Sequence, residues 1–134
     1  KKYGIPVFGF FMMGFPWETR DDIQKTVDYM FSLNCEFIEL HMATPFIGTE
    51  LYKIAIEEGL IQKESDVIGH TYFSNPSAGT RFLSTLELLE IRKKALRRYY
   101  LRPSYIFKRL LEIKNLKMYK NYLFYGLRLI KNTF

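Results

Sequence analysis

The chain has 134 residues, is 48% hydrophobic and 17% aromatic, and carries an ordinary 25% of charged residues. That composition supplies a core and argues against disorder. No apolar run approaches the roughly 20 residues that a membrane span needs. The net charge of +6 conceals a division. Residues 1–91 hold 7 Lys+Arg and 13 Asp+Glu, whereas residues 92–134 hold 13 and 1. A basic tail of this kind faces something acidic, whether nucleic acid, anionic lipid or an acidic surface of protein. The one cysteine, Cys35, excludes an internal disulfide and a Cys-rich metal site, and fits a reducing cytoplasm. Its expected role is a buried packing thiol. The start, Lys1-Lys2-Tyr3-Gly4, lacks an initiator Met, and we expect it to be a boundary inside a longer protein.

Residues 5–13 are almost continuously apolar and read as a strand buried on both faces, as in a parallel sheet. Gly14-Phe15-Pro16 ends the run. Thr19 then reads as a helix N-cap, with Asp21 and Asp22 in the first turn, where the helix dipole favours negative charge. Ile23, Val27, Tyr29, Met30 and Leu33 form the expected apolar stripe. Residues 36–42 are the second expected strand. Thr49 caps a second helix over residues 50–58, which stops at Gly59. Strand, helix, strand, helix with short connections predicts a parallel α/β arrangement.

Residues 60–83 are less regular, with a loop over residues 75–79. Ser84-Thr85-Leu86-Glu87 matches a capping box and predicts a helix to about Leu101. Pro103 suits the first turn of another helix ending near Ile113. A last helix is expected over residues 116–131, weakened at Gly126.

In parallel α/β folds, ligands bind at the carboxyl ends of strands. Two loops hold that position here, residues 13–19 and residues 42–49. Each runs into a helix N-terminus, whose amides suit anionic or polar groups. On the residues alone, ordinary turns with cap residues remain an equal alternative.

The two loops carry a resemblance. Gly9-Phe10-Phe11-Met12-Met13-Gly14-Phe15-Pro16-Trp17-Glu18-Thr19 resembles the fifth-strand motif of radical S-adenosylmethionine (SAM) enzymes, G-x-F-M-x-G-x-P-G-E-T. Thr44-Pro45-Phe46-Ile47-Gly48-Thr49-Glu50-Leu51-Tyr52 resembles their sixth-strand motif, T-P-x-P-G-T-x-L-Y. Arg92 through Ile106 is similar to the tail of the cobalamin-binding subgroup. Trp17 stands where the family has Gly, and Ile47 where it has Pro, so the shape of both loops is open to change.

The resemblance implies an α/β fold: the C-terminal fragment of a partial (β/α)6 TIM-like barrel, strands five and six, over residues 1–83. A basic α-helical extension follows over residues 84–134. It implies a radical SAM iron–sulfur oxidoreductase or methyltransferase that cleaves SAM to a 5′-deoxyadenosyl radical, with a small-molecule substrate. The [4Fe–4S] cluster ligands, a C-x3-C-x2-C motif, and any cobalamin domain would lie in the missing N-terminal part of the same protein. The fragment alone is therefore expected to be inactive, and either to self-associate through its exposed strand edges and apolar inner face or to have that open face covered by the C-terminal helices. No metal ligand is assigned within the chain.

Met12, Met13 and Gly14 are the implied SAM-side residues of strand five, and Met42, Thr44 and Pro45 those of strand six. Alternation lets only one of Met12 and Met13 face a lumen. Glu18 and Thr19 are expected to secure the loop and helix start. His41 reads either as a packed strand histidine or as a residue facing substrate. His70 has no assigned partner.

The tail beyond Tyr99 admits three readings: helices packed on the protein, peripheral contact with an anionic membrane, and nucleic-acid binding. No nucleic-acid motif accompanies the last. The alternative to an enzyme is thus a noncatalytic binding module with a basic aromatic tail.

Overall fold

The structure is a computed structural model and describes residues 5–61 and 78–111. Its elements run β1 (Phe8–Met13), α1 (Arg20–Leu33), β2 (Phe37–Met42), α2 (Glu50–Glu57), α3 (Thr85–Tyr100) and α4 (Pro103–Leu111). The chain divides into two compact units, Lys1–Arg92 and Lys93–Phe134, with the division inside α3. Residues 75–77 of the loop expected over 75–79, the expected helix end near Ile113, the final helix, Gly126 and His70 lie outside the described residues.

In the first unit β1 and β2 pair in parallel, in register from Phe8 opposite Phe37 to Met13 opposite Met42. Helix α1 is the crossover between them and packs against β1. It starts on a complete capping box. The Asp22 amide donates to Thr19 Oγ1, and the Thr19 amide donates to Asp22 Oδ2 at 3.1 Å. It ends at Asn34, which adopts a left-handed conformation with φ of 47°. The stripe that is buried is Ile23, Val27 and Met30, spaced four and three residues apart. Tyr29 and Leu33, expected in the stripe, are 60% and 42% exposed because they lie off that arc.

The partial-barrel expectation is not met. Among the described residues the sheet has two strands, β1 and β2, and the fold is a small α/β arrangement with four helices. Two strands cannot enclose a lumen, since a barrel wall needs each strand paired on both edges. Parallel pairing alternates, and the Ala43 amide donates to Met13 at 2.7 Å, so even-numbered carbonyls of β2 point away from β1. On that outer edge Arg92 Nε of α3 donates to the Leu40 carbonyl at 2.6 Å. A helix side chain therefore sits where a further strand would bond.

β1 also departs from the expected burial on both faces. Met13 is fully buried, but Phe8, Phe10 and Met12 are 51%, 68% and 50% exposed. One face of the sheet meets α1 and the other is open. Cys35 is buried as expected. A Cβ placed on Gly9 would lie 3.1 Å from its sulfur, so the thiol packs on bare backbone.

In the second unit Tyr99, which is fully buried, and Tyr105 flank Arg102. The Arg102 guanidinium lies 4.0 Å from the Tyr99 ring centre and 5.7 Å from that of Tyr105. No helix of the described residues is long and apolar enough to cross a membrane.

Candidate active site

The parallel pairing brings the two motif-bearing loops to the same end of the sheet. They meet where the Ala43 amide donates to the Met13 carbonyl at 2.7 Å, and beside that bond a Cβ on Gly14 would stand 3.9 Å from both the Ala43 amide nitrogen and Met42 Sδ. Gly14 has φ of 88°, which an L side chain resists. The space beside its Cα is already filled by Leu88 of α3, at 3.4 Å from the same Cβ position. Gly14 is thus required by the turn, with Leu88 at ordinary contact distance.

The first loop is tied to itself. The amides of Gly14 and Phe15 both donate to Glu18 Oε2, at 2.6 and 2.9 Å. The Glu18 amide returns to the Phe15 carbonyl at 3.0 Å. The Arg81 amide donates to the Pro16 carbonyl at 2.9 Å, which fastens residues 78–83 to the turn. Glu18 and Thr19 secure the loop and helix start, and the amides that would suit an anion serve their own chain. Trp17, in place of the family's Gly, stacks on Phe15 at 5.3 Å and stays half exposed.

The second loop is more open. Thr49 Oγ1 accepts from the Tyr52 amide at 3.2 Å and donates to the Phe46 carbonyl at 2.6 Å. Gly48 has φ of 87°, and nothing lies within 4 Å of where its Cβ would be. Thr44 is half-buried and its hydroxyl points to the Met42 carbonyl at 3.5 Å. Phe46 and Ile47 are both 47% exposed.

The six residues implied by the resemblance therefore divide. Met13, Gly14, Met42 and Pro45 are buried, Thr44 is half-buried and Met12 lies on the open face. Alternation allowed only one of Met12 and Met13 on that face, and the structure puts Met12 there.

Beside Met12 and His41, the open face carries residues that the motif did not assign, Phe8, Phe10, Phe37 and Glu39. Phe8, Phe10 and Met12 stand opposite Phe37, Glu39 and His41. The rings of Phe8 and Phe10, Phe8 and Phe37, and Phe10 and His41 stack at 5.1, 5.4 and 6.1 Å. His41 Nε2 lies 2.9 Å from Glu39 Oε2. Arg92 also acts on Glu39, its charged form favoured by that carboxylate but disfavoured more strongly by burial. The strict alternation Phe37, Glu39, His41 was the available sequence signal. Among the described residues no group of three or more His, Cys, Asp or Glu is placed to hold a metal ion.

Neither a family model nor a solved structure matches the chain. An uncharacterized methyltransferase of Pyrococcus horikoshii is similar to it, 27% identical over 117 residues. The similarity covers 84% of this chain and 24% of the relative, so the chain spans about a quarter of the length of the protein it matches.

Proposed function

We propose that this chain is part of a radical SAM enzyme with a methyltransferase outcome, and that it supplies one wall of the pocket for SAM and substrate. The observation that carries the reading is the juxtaposition of two motif-bearing loops at the carboxyl end of neighbouring parallel strands. Likeness to a protein named as a methyltransferase supports the outcome.

Gly48 leaves open space at its Cα. Thr44 and Met12 would contact the ligand, with Gly14, Met13, Met42 and Pro45 shaping the floor beneath. When bound, SAM supplies the methyl group and the sulfonium. The open face would receive the substrate on Phe8, Phe10 and Phe37, with Glu39 holding the His41 imidazole in orientation beside it.

These residues do not fit a [4Fe–4S] cluster: Cys35 is the one cysteine and it is buried against Gly9. The cluster, and cobalamin if used, would be carried by chain outside these 134 residues, and no step is assigned through either.

The test is to incubate the full-length protein anaerobically with SAM and reductant and identify the products. Formation of 5′-deoxyadenosine is expected. S-adenosylhomocysteine without 5′-deoxyadenosine would replace the radical reading with ordinary methyl transfer, and neither product would remove both. Thr44→Val and Met12→Ala are expected to weaken SAM binding with iron content unchanged.

A further inference from the structure

Helix α4 is amphipathic with its apolar face turned outward. Ile106, Phe107, Leu110 and Leu111 follow the spacing that places residues on one arc of a helix. All four are exposed, at 42%, 65%, 54% and 71%. Arg109, on the other side, is only 8% exposed, and its guanidinium lies 5.2 Å from the centre of the Tyr105 ring. A surface helix normally buries its apolar stripe and solvates its cations. This one exposes the apolar stripe and buries Arg109, leaving Lys108 exposed, and an exposed apolar patch of that kind marks an interaction surface.

The charge of the sequence in which it lies selects the occupant. Residues 92–134 hold 13 Lys+Arg and 1 Asp+Glu. Lys94, Arg97, Arg98 and Lys108 are exposed. The partner must therefore be anionic and also accept aliphatic side chains. Nucleic acid meets the first demand, but it would be gripped by aromatic faces on which bases stack. Among the described tyrosines of this unit, Tyr99 is fully buried, and Tyr100 and Tyr105 pack edge to face at 5.3 Å. The outward arc offers three aliphatic side chains and one Phe. That pairing of cations with aliphatic surface matches the boundary between headgroups and acyl chains of an anionic bilayer. We propose that α4, with the cations of its unit, docks this protein peripherally on an anionic lipid bilayer. The proposal is independent of the reaction assigned to the first unit.

The experiment is co-sedimentation of the full-length protein with phosphatidylcholine vesicles and with vesicles that also contain phosphatidylglycerol. Roughly tenfold or greater preference for the anionic vesicles is expected, falling as salt rises. Phe107→Glu with Leu111→Glu is expected to reduce that binding by roughly tenfold or more. Both side chains are exposed, so circular dichroism should remain that of the parent. The milder Phe107→Ser tests the same point without added charge. Equal binding by parent and variants, or equal binding to neutral vesicles, overturns the proposal. So does transfer RNA binding without vesicle binding, or a dimer that the variants dissociate while vesicle binding is absent.

Discussion

Glu18 offers the sharpest test of how the first loop is held. One carboxylate oxygen accepts from the amides of both Gly14 and Phe15, at 2.6 and 2.9 Å, and closes the turn between β1 and α1. Hydrogen bonds to a charged group contribute about 1.5–3 kcal/mol each, and less when water can replace the lost acceptor. Glu18 is half-buried, and one oxygen serves both donors. Glu18→Ala should therefore cost about 2 kcal/mol in total, at the low end of that scale. For a chain of this size that is a fall in Tm of roughly 6–10 °C. Glu18→Gln keeps an oxygen in place without its charge and should cost about half as much. Thermal and urea unfolding followed by circular dichroism measure both. A loss below about 0.5 kcal/mol for Glu18→Ala would refute the reasoning, since that is the size of an ordinary surface substitution. The turn would then be held by the Arg81–Pro16 bond and by packing on Leu88 instead.

Gly14→Ala should destabilise by roughly 1–2 kcal/mol, because a Cβ at positive φ is strained even though 3.4 Å to Leu88 is ordinary contact. An unchanged urea midpoint would show that the turn relaxes. Arg92→Met keeps the apolar stem but removes the bond to the Leu40 carbonyl, a loss of about 1.5–3 kcal/mol; unchanged stability would release that edge from Arg92. Asp22 is held down to about 2 from an ordinary 3.8, first by the Thr19 hydroxyl and then by Lys25. Its folded pKa lies below its unfolded one, so its contribution is complete above the unfolded value and is lost as pH falls through the folded one. The stability difference between the parent and Asp22→Asn should therefore shrink from about pH 4 to about pH 2. A difference that stays constant over that window would contradict the capping role.

Local order was legible in the sequence wherever a backbone rule decided it. Thr19, Thr49 and the Ser84–Glu87 box start helices because their side chains satisfy amides that the helix leaves over. Gly59 and Asn34 end them with left-handed backbone. The strands were legible as apolar runs, though β1 begins at Phe8, three residues later than expected. The number of strands was not legible, because a strand edge is closed by whatever reaches it. At Leu40 that is Arg92, 52 residues away, and nothing local to either residue announces the bond. The site divided in the same way. The loops could be read from their glycines, but the capture of two loop amides by Glu18 depends on side-chain reach. The outward face of α4 was hidden because its apolar spacing is the same whichever side it turns to the protein.

The burial of β1 bears on where chemistry can occur. A strand with one solvated face usually alternates apolar and polar residues. Residues 5–13 do not alternate, and the run is apolar on both faces. The structure uses one face, that of Met13, against α1. On the other, Phe8, Phe10 and Met12 form an exposed row beside Phe37, Glu39 and His41. Stability accounts for the first face. It does not account for the second, since a row of large apolar side chains in water favours association. The second face is also where the polar residues of β2 stand, with His41 and Glu39 paired and Arg92 near the carboxylate. An apolar surface ending in a few convergent polar groups is the usual make-up of a small-molecule site. The face that the fold leaves open is thus the one on which the proposed substrate would rest, and His41 lies one residue before the loop end where SAM would meet it.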